Sequence, residues 1–204
     1  LGEGEHIVGV SLATEDQDIL LTTANGRAIR FSVGEVRVFA GRESTGVRGI
    51  RLAEGDSVIS MAILRAVAAT PEERQAYLKR SRALARAAGE EADETAAVED
   101  DDEESAGEGE LSEERFIELG AAEETILTIS SEGIGKRSSA YDFRRTGRGG
   151  QGLLAQDLTR KGGRLVAAFP VEAGDELLLV TDAGQLIRVP VANIRIAARN
   201  TQGV

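Results

Sequence analysis

The 204-residue sequence predicts an all-β fold of stacked repeats, broken once by a helical and acidic insertion. Three observations carry that expectation. The first is a unit that recurs three times: a hydrophobic strand, a turn glycine, a second strand ending in a basic residue, and a glycine-rich basic loop about 20 residues later. The copies read DILLTTANGRAIRF (18–31) with RESTGVRGI (42–50), ETILTISSEGIGKRS (124–138) with GRGGQGL (147–153), and DELLLVTDAGQLIRV (175–189) with RNTQGV (199–204). Turn glycine and loop glycine are 20 residues apart in Gly26–Gly46 and 19 apart in Gly133–Gly152 and Gly184–Gly203. A supersecondary unit repeated in this way buries its apolar face by stacking on its neighbours. The second observation is composition. Aromatics make up 3%, tryptophan is absent, and 24 glycines punctuate runs rich in Val, Ile, Leu and Thr, which suits short strands between tight turns. The third is segregated charge. Between Glu90 and Glu124 stand 17 acidic residues and a single basic one, Arg115, while the rest of the chain holds 18 acidic and 23 basic residues. The net charge of −11 therefore conceals a mildly basic body carrying an acidic block.

Taken in order, residues 1–64 form the first repeat region. Strands are expected at EHIVGVSLA (5–13), DILLTT (18–23), RAIRFSV (27–33), GVRGIRL (46–52) and GDSVISMAIL (55–64). Asn25-Gly26 suits a type I′ hairpin turn, and in GVRGIRL apolar Val47, Ile50 and Leu52 alternate with Arg48 and Arg51. Residues 65–123 form the insertion. A helix is expected over 71–89, with Thr70 as N-cap, Pro71 in the first turn, and Glu72 and Glu73 at the positive end of the dipole. Residues 90–110 offer almost nothing to bury and are expected to be disordered. A short amphipathic helix follows over 111–120. Residues 124–204 hold the further units, with GGRLVAAFPV (162–171) paralleling 55–64, and the last unit reads as truncated, so the array is expected to continue beyond the chain.

Several function classes fall away. Without cysteine there is neither a disulfide nor a thiolate metal site, and His6 is the single histidine. Outside the acidic block no carboxylate pair, nucleophile or base assembles an active site, so no catalytic residue, metal ligand or bound cofactor is expected. No run approaches the length of a membrane span, and LGEGEH is no signal peptide, which makes a cytoplasmic location the expectation. Scarce aromatics argue against the stacking platforms of single-strand binders.

The turns TTANGRAIRF and TDAGQLIRV, the phrase STGVRGIRLAEGD, the run EGIGKRSSAYDFRRTGRGGQG and the ending IRIAARNTQGV resemble the C-terminal domain of bacterial DNA gyrase A. The resemblance covers roughly 5–64 and 124–204. It implies a partial β-pinwheel: a propeller-like array of four-stranded blades, about three of the usual six, whose basic rim wraps duplex DNA. It also implies a type II topoisomerase that introduces negative supercoils with ATP and Mg2+, a heterotetramer in which gyrase A pairs with a second copy of itself and with gyrase B. The family's gyrase-A box, Gln-Arg-Arg-Gly-Gly-Lys-Gly, is not matched. Its nearest counterpart, Arg148 to Gly152, has Gln151 where the box has lysine, and the true box is expected upstream. The related topoisomerase IV domain and a protein-binding propeller stand as alternatives.

Duplex DNA is held without sequence preference through its phosphates, by Arg, Lys and backbone N–H groups. Glycine-rich loops let the backbone approach a phosphate, and neighbouring guanidinium groups donate paired bonds. Arg144, Arg145 and Arg148 with Gly149 and Gly150 combine both devices within seven residues. Lys136 and Arg137 lie just past the preceding turn, and Arg42, Arg48 and Arg199 hold related positions in the other copies. These ten residues are the expected DNA contacts. The acidic block is read first as a solubilising loop and second as a competitor of phosphate for the basic rim.

Overall fold

Each repeat opens as a hairpin, and one kind of turn closes all three. The computed structural model of the chain describes residues 4–41, 43–89, 111–160 and 163–204. In the first unit β1 (Gln17–Thr23) returns through β2 (Arg27–Ser32), and β3 (Val58–Arg65) pairs on the far side of β1. The second unit repeats this with β4 (Thr125–Ser130), β5 (Gly135–Ser139), the short β6 (Leu153–Leu154) and β7 (Leu165–Val171). The third supplies β8 (Glu176–Val180) and β9 (Leu186–Pro190). Gly26, Gly133 and Gly184 have φ of 82°, 77° and 77°, and their amides donate to the carbonyls of Thr23, Ser130 and Thr181. The type I′ turn expected at Asn25-Gly26 is not formed. It needs positive φ at both central residues, and no non-glycine among the described residues has one. The hairpins use the three-residue alternative, a turn followed by a single left-handed glycine.

The sheets show how the units interlock. Their strand orders are β3-β1-β2-β6, β5-β4-β7 and β8-β9, so the second unit donates β6 to the sheet of the first, with Ala28 opposite Leu153 and Arg27 opposite Leu154. The third unit begins the same exchange, because Gly135 and Val204 trade backbone hydrogen bonds of 2.9 and 3.0 Å. The loop glycine precedes each donated segment for a steric reason. A Cβ on Gly152 would lie 2.5 Å from the Ala28 carbonyl oxygen, and one on Gly203 would lie 2.8 Å from that of Gly135. Apolar layers fill the spaces between units. Leu20, Ala28 and Leu64 meet Ile126, Ala140, Phe143 and Ala155 at the first joint, and Leu127, Ile129 and Val171 meet Leu177 and Val191 at the second.

Two expected strands are absent. Residues 5–13 run without a sheet partner, with Ile7, Val10 and Leu12 exposed. GVRGIRL occupies the repeat position of β6, which pairs with a preceding unit, and no such unit precedes it among the described residues. It is nevertheless held, with Ile50 buried beside Ile19, Ile29 and Phe31 of its own unit and the Arg51 amide bonded to the Gly150 carbonyl of the second.

The insertion folds onto the second unit. Helix α1 (Pro71–Ala87) starts in a capping box, in which Thr70 accepts from the Glu73 amide and the Glu73 carboxylate accepts from the Thr70 amide. It stops two residues short of the expected Gly89. Helix α2 (Glu113–Ala122) is capped by Ser112 and lies two residues later than expected. Tyr77, Leu119 and Tyr141 form the joint, with the Tyr77 ring edge-on to Tyr141 at 5.3 Å and beside Phe116 at 5.1 Å. The Tyr141 hydroxyl donates to the Leu119 carbonyl at 2.9 Å, and burial pushes its phenol up to about 12. The expected disorder of 90–110 falls outside the described residues.

Arg82 of α1 reaches Asp142 at 2.5 Å, at the end of the 3-10 turn Ala140–Asp142. Burial holds the Asp142 carboxyl above the usual carboxylate range, and Arg82 opposes that shift. A pKa raised by folding means that the folded state binds the proton more tightly than the unfolded chain. The group's contribution to stability is therefore fully present below its unfolded pKa and is lost as pH rises from there through the folded pKa. Arg82→Ala leaves an enclosed carboxylate without its counter-charge and is expected to cost about 2 kcal/mol near neutral pH. The loss should shrink in mildly acidic buffer as Asp142 takes up a proton. Urea unfolding followed by the near-ultraviolet dichroism of Tyr77 and Tyr141 measures it, and an equal loss at both pH values would refute the charge explanation.

Candidate nucleic-acid interface

The basic loop of the second unit is positioned by the first. It leaves Phe143 and runs parallel to β2, where Arg145 bridges to Arg30 and the Thr146 amide donates to the Arg30 carbonyl at 2.8 Å. The Gly149 amide then donates to the Gly49 carbonyl at 2.5 Å, and the Arg51 amide donates to the Gly150 carbonyl at 2.7 Å. These backbone bonds lay residues 48–51 beside the loop. The exposed side chains of Arg48, Arg51 and Arg145 consequently stand along one joint between units. Asp18, almost fully buried, anchors it from beneath. One carboxylate oxygen accepts from Arg30 Nε at 2.9 Å, and the other lies 3.0 Å from Arg145 Nε, whose side chain remains 51% exposed.

The ten expected contacts separate into groups. Arg48 and Arg145 are exposed at the joint, Gly150 is exposed, and Gly149, with φ of 83°, is half-buried with its amide bonded. Arg148 is exposed but already bonded, donating from Nε to the Glu35 carbonyl at 3.1 Å and from Nη1 to the Arg48 carbonyl at 3.2 Å. Its own amide donates to the Glu35 carboxylate at 3.0 Å. Arg144 is half-buried, and Arg137 donates to the carbonyls of Ile194 and Ala192 in the next unit. Arg42 lies outside the described residues.

Lys136 and Arg199 are corrections. Lys136 is fully buried, and its ammonium donates to the carbonyls of Ala198, Arg199 and Thr201 and to the Thr201 hydroxyl. Arg199 is 6% exposed and donates to the carbonyls of Asp142 and Leu154. A cation enclosed in this way joins units and offers no charge to a phosphate outside.

Among the exposed cations outside those ten are Arg51 and Arg37. Arg51 was visible as the second arginine of the alternating GVRGIRL segment. Arg37, whose guanidinium stacks 5.2 Å above the Phe39 ring, stands eleven residues past its turn glycine, as do Arg144 and Arg195. Aligning the copies beyond the loop motif would have found it. Among the described residues no three His, Cys, Asp or Glu side chains converge as a metal site, and no helix is long and apolar enough to cross a membrane.

The sequence pattern of the family described as DNA gyrase C-terminal domain, beta-propeller, matches residues 17–65, 124–172 and 175–204. The chain belongs to this family. The three matched stretches are the three repeat units, and the helical insertion lies between the first two. DNA gyrase A of Granulibacter bethesdensis is 53% identical over 210 residues, and that of Rickettsia bellii is 45% identical over 206. Each alignment takes in 100% of this gyrase-family chain and 22% of the relative, so the chain spans about a fifth of the length of those curated relatives. The solved structure of a DNA gyrase A C-terminal domain superposes with a TM-score of 0.62 at 21% identity, over 100% of this chain and 49% of that one. The C-terminal domain of a DNA topoisomerase IV gives 0.59 at 18% identity, over 93% and 42%. At these identities the likeness speaks for the fold, which is the propeller-like all-β fold expected from the repeats.

Proposed function

We propose that this chain is a DNA-wrapping part of gyrase A. On this reading it binds duplex DNA without sequence preference and supports ATP-dependent negative supercoiling by a type II topoisomerase. The observation that carries the proposal is the joint between the first two units, where exposed Arg48, Arg51 and Arg145 share one edge with a glycine-rich loop. Such an edge suits a phosphate backbone, which asks for distributed positive charge and close backbone approach. Repeating the joint from unit to unit would give a curved track, and bending DNA along it needs few base contacts. The chain contributes no catalytic residue to the enzyme. A second copy of gyrase A and two of gyrase B complete the assembly, ATP and Mg2+ act in those other parts, and the location is the cytoplasm at the nucleoid.

Binding of the chain to a short mixed-sequence duplex across a salt series tests this. A linear fall of log affinity with log salt, independent of base sequence, is the expected outcome. Arg48→Gln, Arg51→Gln and Arg145→Gln should each flatten the slope by about 0.9. Sequence-selective binding, or a slope indifferent to all three changes, would overturn the proposal.

A further inference from the structure

Two arginines at one repeat position make the same pair of bonds. Arg148 and Arg199 each stand fifteen residues past their turn glycines. Arg148 donates from Nε to the Glu35 carbonyl at 3.1 Å and from Nη1 to the Arg48 carbonyl at 3.2 Å. Arg199 donates from Nε to the Asp142 carbonyl at 3.0 Å and from Nη1 to the Leu154 carbonyl at 2.9 Å. The acceptors repeat as well. Glu35 and Asp142 both end the 3-10 turn of the preceding unit, and Arg48 and Leu154 both stand two residues beyond that unit's loop glycine. In each case one guanidinium spans the start and the finish of the neighbour's basic loop.

We propose that the arginine at this repeat position is an inter-unit staple that fixes the spacing of successive units and so the curvature of the DNA track. The inference rests on the wrapping function proposed above, yet it assigns these arginines a positioning role in place of phosphate contact. A planar fork with donors at fixed separation holds two carbonyls at a set distance. Lysine gathers its acceptors around one nitrogen, as Lys136 does on the loop of the third unit, and lacks the separated donors that hold these two carbonyls apart, although it serves a phosphate well. Conserving the charge therefore separates the two roles. Under phosphate contact Arg148→Lys and Arg199→Lys are mild. Under stapling they behave as losses.

The chain has no cysteine, so spin labels can be attached at Asn25→Cys in the first turn and Asp182→Cys in the third, both exposed. Without DNA, Arg199→Lys is expected to broaden the label-to-label distance distribution roughly twofold, and Arg148→Lys to broaden it less, while Arg51→Lys leaves it unchanged. With DNA, the two staple variants should keep the salt slope of duplex binding. In the full-length protein they should lower the linking-number change that each bound molecule imposes on a closed circle. Arg51→Gln should do the reverse, lowering the slope by about 0.9 with the linking-number change per bound molecule retained. Unbroadened distances in both lysine variants would overturn the staple. So would a slope lowered by about 0.9 in Arg148→Gln with its distances intact. If the unmodified chain fails to bind DNA, the wrapping function falls and the curvature role with it, while the distances still decide whether the arginines hold the units together. Arg148→Lys, at the more exposed joint, keeps the test valid should Arg199→Lys fail to fold.

Discussion

Lys136→Met is expected to lower the stability of the chain by about 3 kcal/mol, because three enclosed carbonyls lose a charged donor at once. The Lys136 ammonium donates to the carbonyls of Ala198, Arg199 and Thr201, all on the loop of the third unit. The carbonyls of Ala198 and Thr201 keep backbone donors, the amides of Thr201 and Asp157, so what is lost is the charge-assisted bonding, about 1.5–3 kcal/mol for a bond to a charged group. Relief of the lysine's own desolvation offsets part of that sum. The first unit shows what an apolar residue needs at this place. Ile29 holds the matching position, and the matching loop carbonyl, that of Gly150, receives the Arg51 amide. Its counterpart on Thr201 accepts from both the Asp157 amide at 3.0 Å and Lys136. Methionine fills the volume and supplies no donor, so amide exchange should accelerate over 198–204 before it does in β1 or β4. Urea unfolding with site-resolved exchange measures both effects, and a variant as stable as the parent would show that the loop carbonyls find other partners.

The contrast between Lys136 and its neighbours shows where sequence stops informing. The repeats and their turn glycines were legible because both requirements are local: a hairpin needs its left-handed residue a fixed distance from its strands. The family resemblance was legible for the same reason, in runs such as STGVRGIRLAEGD. Lys136 sits beside Arg137 just past a turn, which by local rules is a solvated strand end. Its burial depends on carbonyls 62 to 65 residues later, brought in by a third unit that leans on the second. Arg199 and Arg148 misled in the same way, since each is bonded by the unit before its own. The insertion was expected as two helices, but not their attachment. Tyr141 carried no sign of receiving Tyr77, because the two meet only once the helices fold back on the 3-10 turn. Of the apolar residues expected on the second helix, Leu119 is buried and Ile117 is 63% exposed, so amphipathic spacing gave the face only approximately.

Gly152→Ala is expected to destabilise the chain by about 3 kcal/mol and to weaken duplex binding, whereas Gly46→Ala at the same repeat position should be nearly neutral. At Gly152 φ is 71°, a region that costs an L-residue about 1–2 kcal/mol. The added Cβ would also lie 2.5 Å from the Ala28 carbonyl oxygen and 2.9 Å from its carbon. Those are backbone atoms of a central strand, so the loop must give way. Moving it parts β6 from β2 and takes the carbonyls of Gln151 and Gly152 away from Arg27, which donates to them at 3.1 Å each. The displacement also shifts the Gly150 carbonyl that holds residues 48–51 beside the loop, and this is how a methyl group between units reaches the proposed DNA edge. Gly46 lacks both constraints. It does not have positive φ, and its Cβ would meet nothing within 4 Å. The change there should stay within about 0.5 kcal/mol. Thermal unfolding and duplex affinity of the two variants, side by side, separate a requirement of the motif from a requirement of the joint. Equal losses would mean that the loop needs glycine for its own sake, while a loss confined to Gly152 means that glycine is needed where one unit closes on another.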